Sequence, residues 1–235
     1  MANIRELLNN PRYHQVREIM VIAGELSLKE DVTAYAVGGC VRDLLLGSSI
    51  KDVDLMIEGE GISFARKLAK ILGVKKIVQF EKFGTALIPH KPMQIEVTTS
   101  RIEKYDANSR NPSEINYTDL NGDLKRRDFT INAMAMDISS ATFGELSDPF
   151  GGIVDLNAGI LKTPLDPDET FSNDPLRMMR AAYFASKLNF KIEVKCRRSM
   201  KKQASRIDIV SWERIRDEFT KIMTTKKPSV GLIIL

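Results

Sequence analysis

The chain has 235 residues, 43% of them hydrophobic and 28% charged, with a net charge of +4. This is the profile of an ordinary globular protein long enough for one large domain or two modest ones. No apolar run approaches the ~20 residues of a membrane span, and the opening MANIRELLNNPRYHQ lacks a signal peptide's apolar stretch, so a cytoplasmic protein with no membrane partner is expected. Two distant cysteines, Cys40 and Cys196, and only two histidines, His14 and His90, argue against a disulfide framework, a zinc site or a histidine-based triad.

Arg12–Leu28 has Val16, Ile19, Met20, Ala23 and Leu26 near helical spacing. TAYAV predicts a strand running into Gly38-Gly39, and CVRDLLLG a short helix closed by Gly47. DVDLMIE predicts a second strand, residues 62–72 a second helix, and KIVQF, GTALI and MQIEVTT three further strands. RIEKYDANSRNPSEINYTDLNGD has no periodicity and predicts a long loop. RRDFTINAMAMDI predicts a loop entering a short helix and then a strand. Beyond DPFGG, helical patterns take over at 174–188, 194–205 and 211–223. A domain boundary is expected near residue 155, giving domains 1–155 and 156–235.

Charge follows the same division. Residues 1–155 carry 19 Lys and Arg against 22 Asp and Glu, a net −3, whereas 156–235 carry 16 against 9, a net +7. A basic third next to a carboxylate-bearing part fits a polyanion held beside a metal site, and fits equally a solvated helical surface.

Asp52 and Asp54 stand one residue apart in the apolar strand DVDLMIE, so their side chains leave on the same face. Two carboxylates held together repel each other and invite a bridging cation. The Gly38-Gly39 turn before a helix start lets backbone N–H groups approach a phosphate. A carboxylate pair beside such a turn is the minimum for two-metal phosphoryl or nucleotidyl transfer, with magnesium (Mg2+) as the expected ion. Glu96, in QIEVTT, is a candidate third catalytic carboxylate or an edge-strand acid facing water.

In KRRDFTINA, Asp128 can be an ordinary helix cap. The arginines before it, Arg126 and Arg127, suit phosphate oxygens, and the carboxylate suits a ribose hydroxyl. In NDPLRMMRAAYFASKL, Asp174 and Pro175 open a helix, and Asp174 and Arg177 can share its first turn. An acceptor beside donors matches the edges of cytosine and adenine and mismatches uracil and guanine. Met178, Met179 and Phe184 are expected in the core.

In this order and spacing, GGCVRDLLLG, KDVDL, RRDFTINAMA and DPLRMMRAAYFA resemble the class II tRNA nucleotidyltransferase and bacterial poly(A) polymerase family over roughly residues 33–225. The resemblance implies an α/β (α+β) polymerase-beta-like nucleotidyltransferase head with a mixed sheet, followed by a helical neck. It implies addition of C, C and A to tRNA 3′ ends from CTP and ATP, or of A alone. It places Asp52 and Asp54 on the metals and Gly38, Gly39 and Arg42 on the triphosphate. Arg127 and Asp128 fall on the ribose and Asp174 and Arg177 on the base, and Asn132 and Arg180 join this nucleotide-binding set. Residues 101–115 fall on the family's flexible loop. Asn173 stands where the family usually has an acid, and Tyr183 where an arginine is common. The family's tRNA-holding body and tail have no counterpart before Leu235, so an RNA-binding fragment without catalysis is the rival reading.

Overall fold

The computed structural model describes the backbone of residues 2–105 and 112–235, and their side chains outside 102–115. In chain order the elements are α1 (His14–Lys29), β1 (Thr33–Val37), α2 (Gly39–Leu45), β2 (Asp52–Glu58), α3 (Gly61–Ile71), β3 (Val78–Phe80), β4 (Thr85–His90) and β5 (Met93–Thr99). Then come β6 (Arg101–Tyr105), β7 (Pro112–Tyr117), α4 (Leu120–Lys125), β8 (Ala135–Asp137), β9 (Leu146–Ser147), α5 (Gly152–Ala158) and β10 (Ile160–Leu161). The last are α6 (Pro167–Asn173), α7 (Leu176–Leu188), β11 (Lys191–Ile192), α8 (Val194–Gln203), α9 (Trp212–Met223) and α10 (Pro228–Ile234).

Two compact units emerge. The first comprises Met1–Ile102, Tyr117–Leu124 and Asn132–Pro149, and the second Glu103–Asn116, Lys125–Ile131 and Phe150–Leu235. The first is built on a seven-stranded sheet in the order β3-β4-β5-β2-β1-β8-β9. The sheet is mixed because β2 and β5 run parallel while β1–β2, β4–β5 and β1–β8 are antiparallel. Strand alternation sorts the side chains. Val53, Leu55, Ile57, Ala34, Ala36, Ile95, Val97, Ala86 and Ile88 are all fully enclosed, and α1 packs on β1 while α3 packs on β4 and β5. The other face carries Asp52, Asp54, Glu58, Tyr35, Asp137 and Glu96, all exposed or half-buried. One face is sealed; the other, though closed over Met56, carries these polar groups towards the start of β2.

The second unit is mainly helical, with the short parallel pair β10–β11 and most of the strands β6 and β7. Its core includes the fully buried Phe129 and Phe171 and the nearly buried Phe184, Leu176, Met178 and Met179. Phe129 meets Phe184 edge to face at 5.8 Å and 82°, a geometry worth about 0.5–1.5 kcal/mol beyond area burial. The methionines and Phe184 are buried, as expected.

The predicted long loop after Arg101 is a correction. Residues 101–105 and 112–117 form the two-stranded sheet β6–β7, and α4 follows. Both strands are rich in polar and charged residues, so no apolar period betrays them. The centre of the segment matched to the flexible loop, residues 106–111, lies outside the described residues. The helix predicted from Asp174 begins at Leu176, and α6 before it escaped the periodicity reading.

Candidate nucleotide and metal site

Asp52 and Asp54 sit at the start of β2 on the polar face, Asp52 exposed and Asp54 half-buried. The parallel register sets Asp52 opposite Gln94 and Asp54 opposite Glu96. Glu96 therefore stands on an interior strand, not an edge strand, although its side chain is exposed. Among the described residues no three His, Cys, Asp or Glu side chains are gathered closely enough to hold a metal ion, so the three carboxylates do not form a closed cage. Two carboxylates on one strand face nonetheless fit a hard cation such as Mg2+, which binds through one or two protein carboxylates plus phosphates and water.

The glycine turn is placed beside them. Gly38 has φ +69 and ψ −126, a backbone conformation that only glycine adopts without strain. A side-chain carbon added to Gly39 would lie 3.6 Å from Arg42 Nη2 and 3.9 Å from Asp54 Oδ2. The bare backbone of Gly39 thus faces both the guanidinium and the second aspartate. Below it, the buried Cys40 thiol donates to the Val37 carbonyl at 3.1 Å, fixing the turn to β1. Arg42 is only 3% exposed. Its Nε donates to Asp43 Oδ1 at 2.8 Å and its Nη1 to Asn132 Oδ1 at 2.6 Å. A buried guanidinium needs such acceptors, and Asn132, itself 5% exposed, supplies one from 90 residues away.

The same face explains Tyr35. Burial, with the nearby charges of Glu58 and Asp137, pushes its phenol up to about 12.

In the second unit, Asp128 is 7% exposed and its Oδ1 accepts the N–H of the next residue, Phe129, at 2.8 Å, not the N–H two or three residues on that a helix cap takes. Its Oδ2 receives Arg180 Nε at 2.8 Å and Nη2 at 2.6 Å. Burial works against the Arg180 charge, but Asp128, Glu218 and Asp174 outweigh it and hold the guanidinium above its usual pKa. The Arg180 guanidinium also lies over the Phe184 ring, 5.4 Å from its centroid. Thr130 anchors the segment, its N–H on the Lys162 carbonyl at 2.8 Å and its hydroxyl on Asp155 at 2.7 Å. Arg127 is half-buried.

Asp174 and Arg177 share a helical turn, but their side chains are engaged differently. Asp174 Oδ1 accepts the Leu176 N–H at 3.1 Å, and Oδ2 lies 3.9 Å from Arg214 Nη2. Arg177 Nη2 donates to the Arg126 carbonyl at 2.6 Å, tying α7 to the RRD segment. Tyr183, in place of the family's arginine, is tilted against Phe184 at 5.1 Å with Lys187 above it. Arg214 and Glu218 were missed by sequence reasoning. They are four residues apart on α9, hence on one helical face, and a charged pair on the face that packs on α7 was the available signal.

A carboxylate pair on the polar face of a mixed sheet, next to a glycine turn and a buried arginine, defines the head of a nucleotidyltransferase. Residues 34–162 match the poly A polymerase head domain, and the chain belongs to that family. Residues 189–235 match the probable RNA and SrmB-binding site of polymerase A. The chain is similar to the CCA-adding enzyme of Ligilactobacillus salivarius, 38% identical over 85% of this chain and 47% of that protein. It is similar to the A-adding tRNA nucleotidyltransferase of Aquifex aeolicus, 43% identical over 68% of this chain and 19% of that protein. The Thermotoga maritima CCA-adding enzyme complexed with tRNA superposes with a TM-score of 0.83 at 30% identity, over 99% of this chain and 53% of that one. The chain thus spans about half the length, or less, of the relatives it matches. No helix among the described residues is long and apolar enough to cross a membrane.

Proposed function

We propose that this chain carries the catalytic and nucleotide-selecting parts of a metal-dependent, template-independent RNA nucleotidyltransferase that adds C and A to tRNA 3′ ends and releases pyrophosphate. The observation that carries the reading is the placement of Gly39 between the Arg42 guanidinium and the Asp54 carboxylate. It sets a phosphate-accepting turn beside a cation-accepting pair. In this reading residues 1–155 are the head and 156–235 the neck, and the protein acts in the cytoplasm.

Asp52 and Asp54 would hold Mg2+, which when bound lowers the pKa of the attacking 3′-hydroxyl and neutralises the triphosphate. Gly38 and Gly39 offer backbone N–H groups to the phosphates, and Arg42, held in place by Asp43 and Asn132, offers them charge. Asp128, its carboxylate oriented by Arg180, accepts from the ribose hydroxyl, with Arg127 beside it in sequence. Asp174 and Arg177 select the base edge, and Glu96 assists the aspartates from the neighbouring strand. The relatives include both CCA-adding and A-adding enzymes at similar identity, so addition of A alone is the second reading.

The test is incorporation of labelled CTP and ATP into a tRNA transcript lacking its 3′ end. Incorporation is expected with Mg2+ and is expected to vanish with a chelator and in Asp54→Ala. Undiminished incorporation by Asp54→Ala in Mg2+ would overturn the assignment.

A further inference from the structure

The first unit carries a second feature that the metal and nucleotide residues do not use. Residues 61–80 contain five cations, Arg66, Lys67, Lys70, Lys75 and Lys76, and no acid, within a part of the chain whose balance is negative. Lys67 is paired with Glu30. The other four line an open groove of about 810 Å³ between the end of α3 and β3. The fold gathers them deliberately close. Gly73, at φ +71, closes α3 with the Val74 N–H on the Ala69 carbonyl at 2.8 Å. This is a left-handed cap that turns the chain back and brings Lys75 and Lys76 beside Lys70. Arg66 is oriented by Gln79, whose Oε1 accepts from its Nη2 at 2.5 Å. Lys70, Lys75 and Lys76 are exposed, and among the described residues no carboxylate pairs with any of them.

Four cations line this groove, and among the described residues none of them pairs with a carboxylate; together they form a local positive field suited to a polyanion. The occupant that fits is a phosphodiester backbone. Lysines act as point charges that follow a repeating phosphate without reading sequence. The adjoining edge strand leaves Phe80 48% exposed and Val78 49% exposed, apolar surface against which a sugar or base can lie. The groove is separate from the nucleotide site. β4 and β5 intervene between β3 and β2, three strand spacings or about 14 Å, and α3 lies on the face opposite the carboxylates.

We propose that this groove binds the phosphate backbone of the RNA whose 3′ end is extended, away from the reacting end. The proposal rests on RNA being the substrate. The test is binding of a tRNA transcript between 50 and 200 mM salt by the full chain, by Lys70→Ala/Lys75→Ala/Lys76→Ala, and by a control of equal charge change, Arg17→Ala/Lys29→Ala/Lys91→Ala. Loss of three phosphate contacts should lower the slope of log Kd against log salt by about 2–3 and weaken binding roughly tenfold or more at the low-salt end. The control should stay close to wild type, and CTP and ATP affinity should be unchanged in both. If wild type binds RNA and the triple variant matches the control, the groove is not a backbone site and the substrate reading stands. If wild type binds no RNA, both fail. Binding of poly-glutamate that disappears in the triple variant while RNA binding persists overturns the proposal in favour of an acidic protein partner.

Discussion

Asp54 and Glu96 stand directly opposite each other in the parallel pairing of β2 with β5, yet one is half-buried beside Gly39 and the other is exposed. Proximity in the ladder thus does not give the two carboxylates the same surroundings. Asp54→Ala is expected to lower incorporation by several orders of magnitude, about the loss that removal of a metal ligand from a two-metal site brings, with circular dichroism unchanged. Glu96→Ala, whose side chain can be hydrated in place, is expected to cost about tenfold or less. Equal losses in the two variants would show that Glu96 is a full ligand.

Asn132 reaches Arg42 across 90 residues and accepts from its guanidinium at 2.6 Å. Asn132→Ala takes one acceptor from a guanidinium that is almost wholly buried, a loss of about 1–3 kcal/mol. Because Arg42 is assigned to the triphosphate, KM for CTP and ATP should rise more than kcat falls. Titration calorimetry with a non-hydrolysable nucleotide checks the affinity, and thermal melting checks the stability. Unchanged affinity with a lowered Tm would confine Asn132 to folding.

These two relationships also mark the limit of what the residues announce. DVDLMIE reads as a strand and the two aspartates as a same-face pair because period-two alternation is local. That β5 supplies the neighbour, in a register that sets Glu96 against Asp54, depends on pairing between residues 42 apart. No local pattern encodes that pairing. The link from Asn132 to Arg42 is invisible for the same reason. The paired strands β6 and β7 went unread because most of their residues are polar or charged. The groove at the end of α3 was hidden by averaging, since the negative total for residues 1–155 conceals the acid-free stretch from 61 to 80.

Arg177 ties α7 to the Arg126 carbonyl, so it can both build the nucleotide site and read the base. Arg177→Ala separates the two roles. If the guanidinium reads the base, incorporation of UTP and GTP relative to CTP and ATP should rise, by about tenfold for one lost discriminating hydrogen bond. A uniform decline for all four nucleotides, with their ratio preserved, would assign Arg177 to the tie alone.

Tyr35 gives a pH signature on the sheet's polar face. Its phenol, pushed up to about 12 by burial and then by Glu58 and Asp137, keeps its proton in the folded protein after an unfolded tyrosine has lost it near pH 10. Between pH 10 and 12 the folded state therefore binds more protons, and stability falls as pH rises through that window. The fall should be shallower in Tyr35→Phe, measured as Tm against pH. Parallel curves for the two proteins would show that Tyr35 titrates normally.

The central claim is that the chain selects C and A without a template, and sequencing of extended RNA 3′ ends tests it most directly. A tRNA transcript lacking its three terminal residues is incubated with CTP, with ATP and with both, in Mg2+. The account predicts added C residues with CTP alone and the terminal sequence CCA with both nucleotides. A transcript extended with all four nucleotides at similar frequency, or never extended under any of the three conditions, would contradict it.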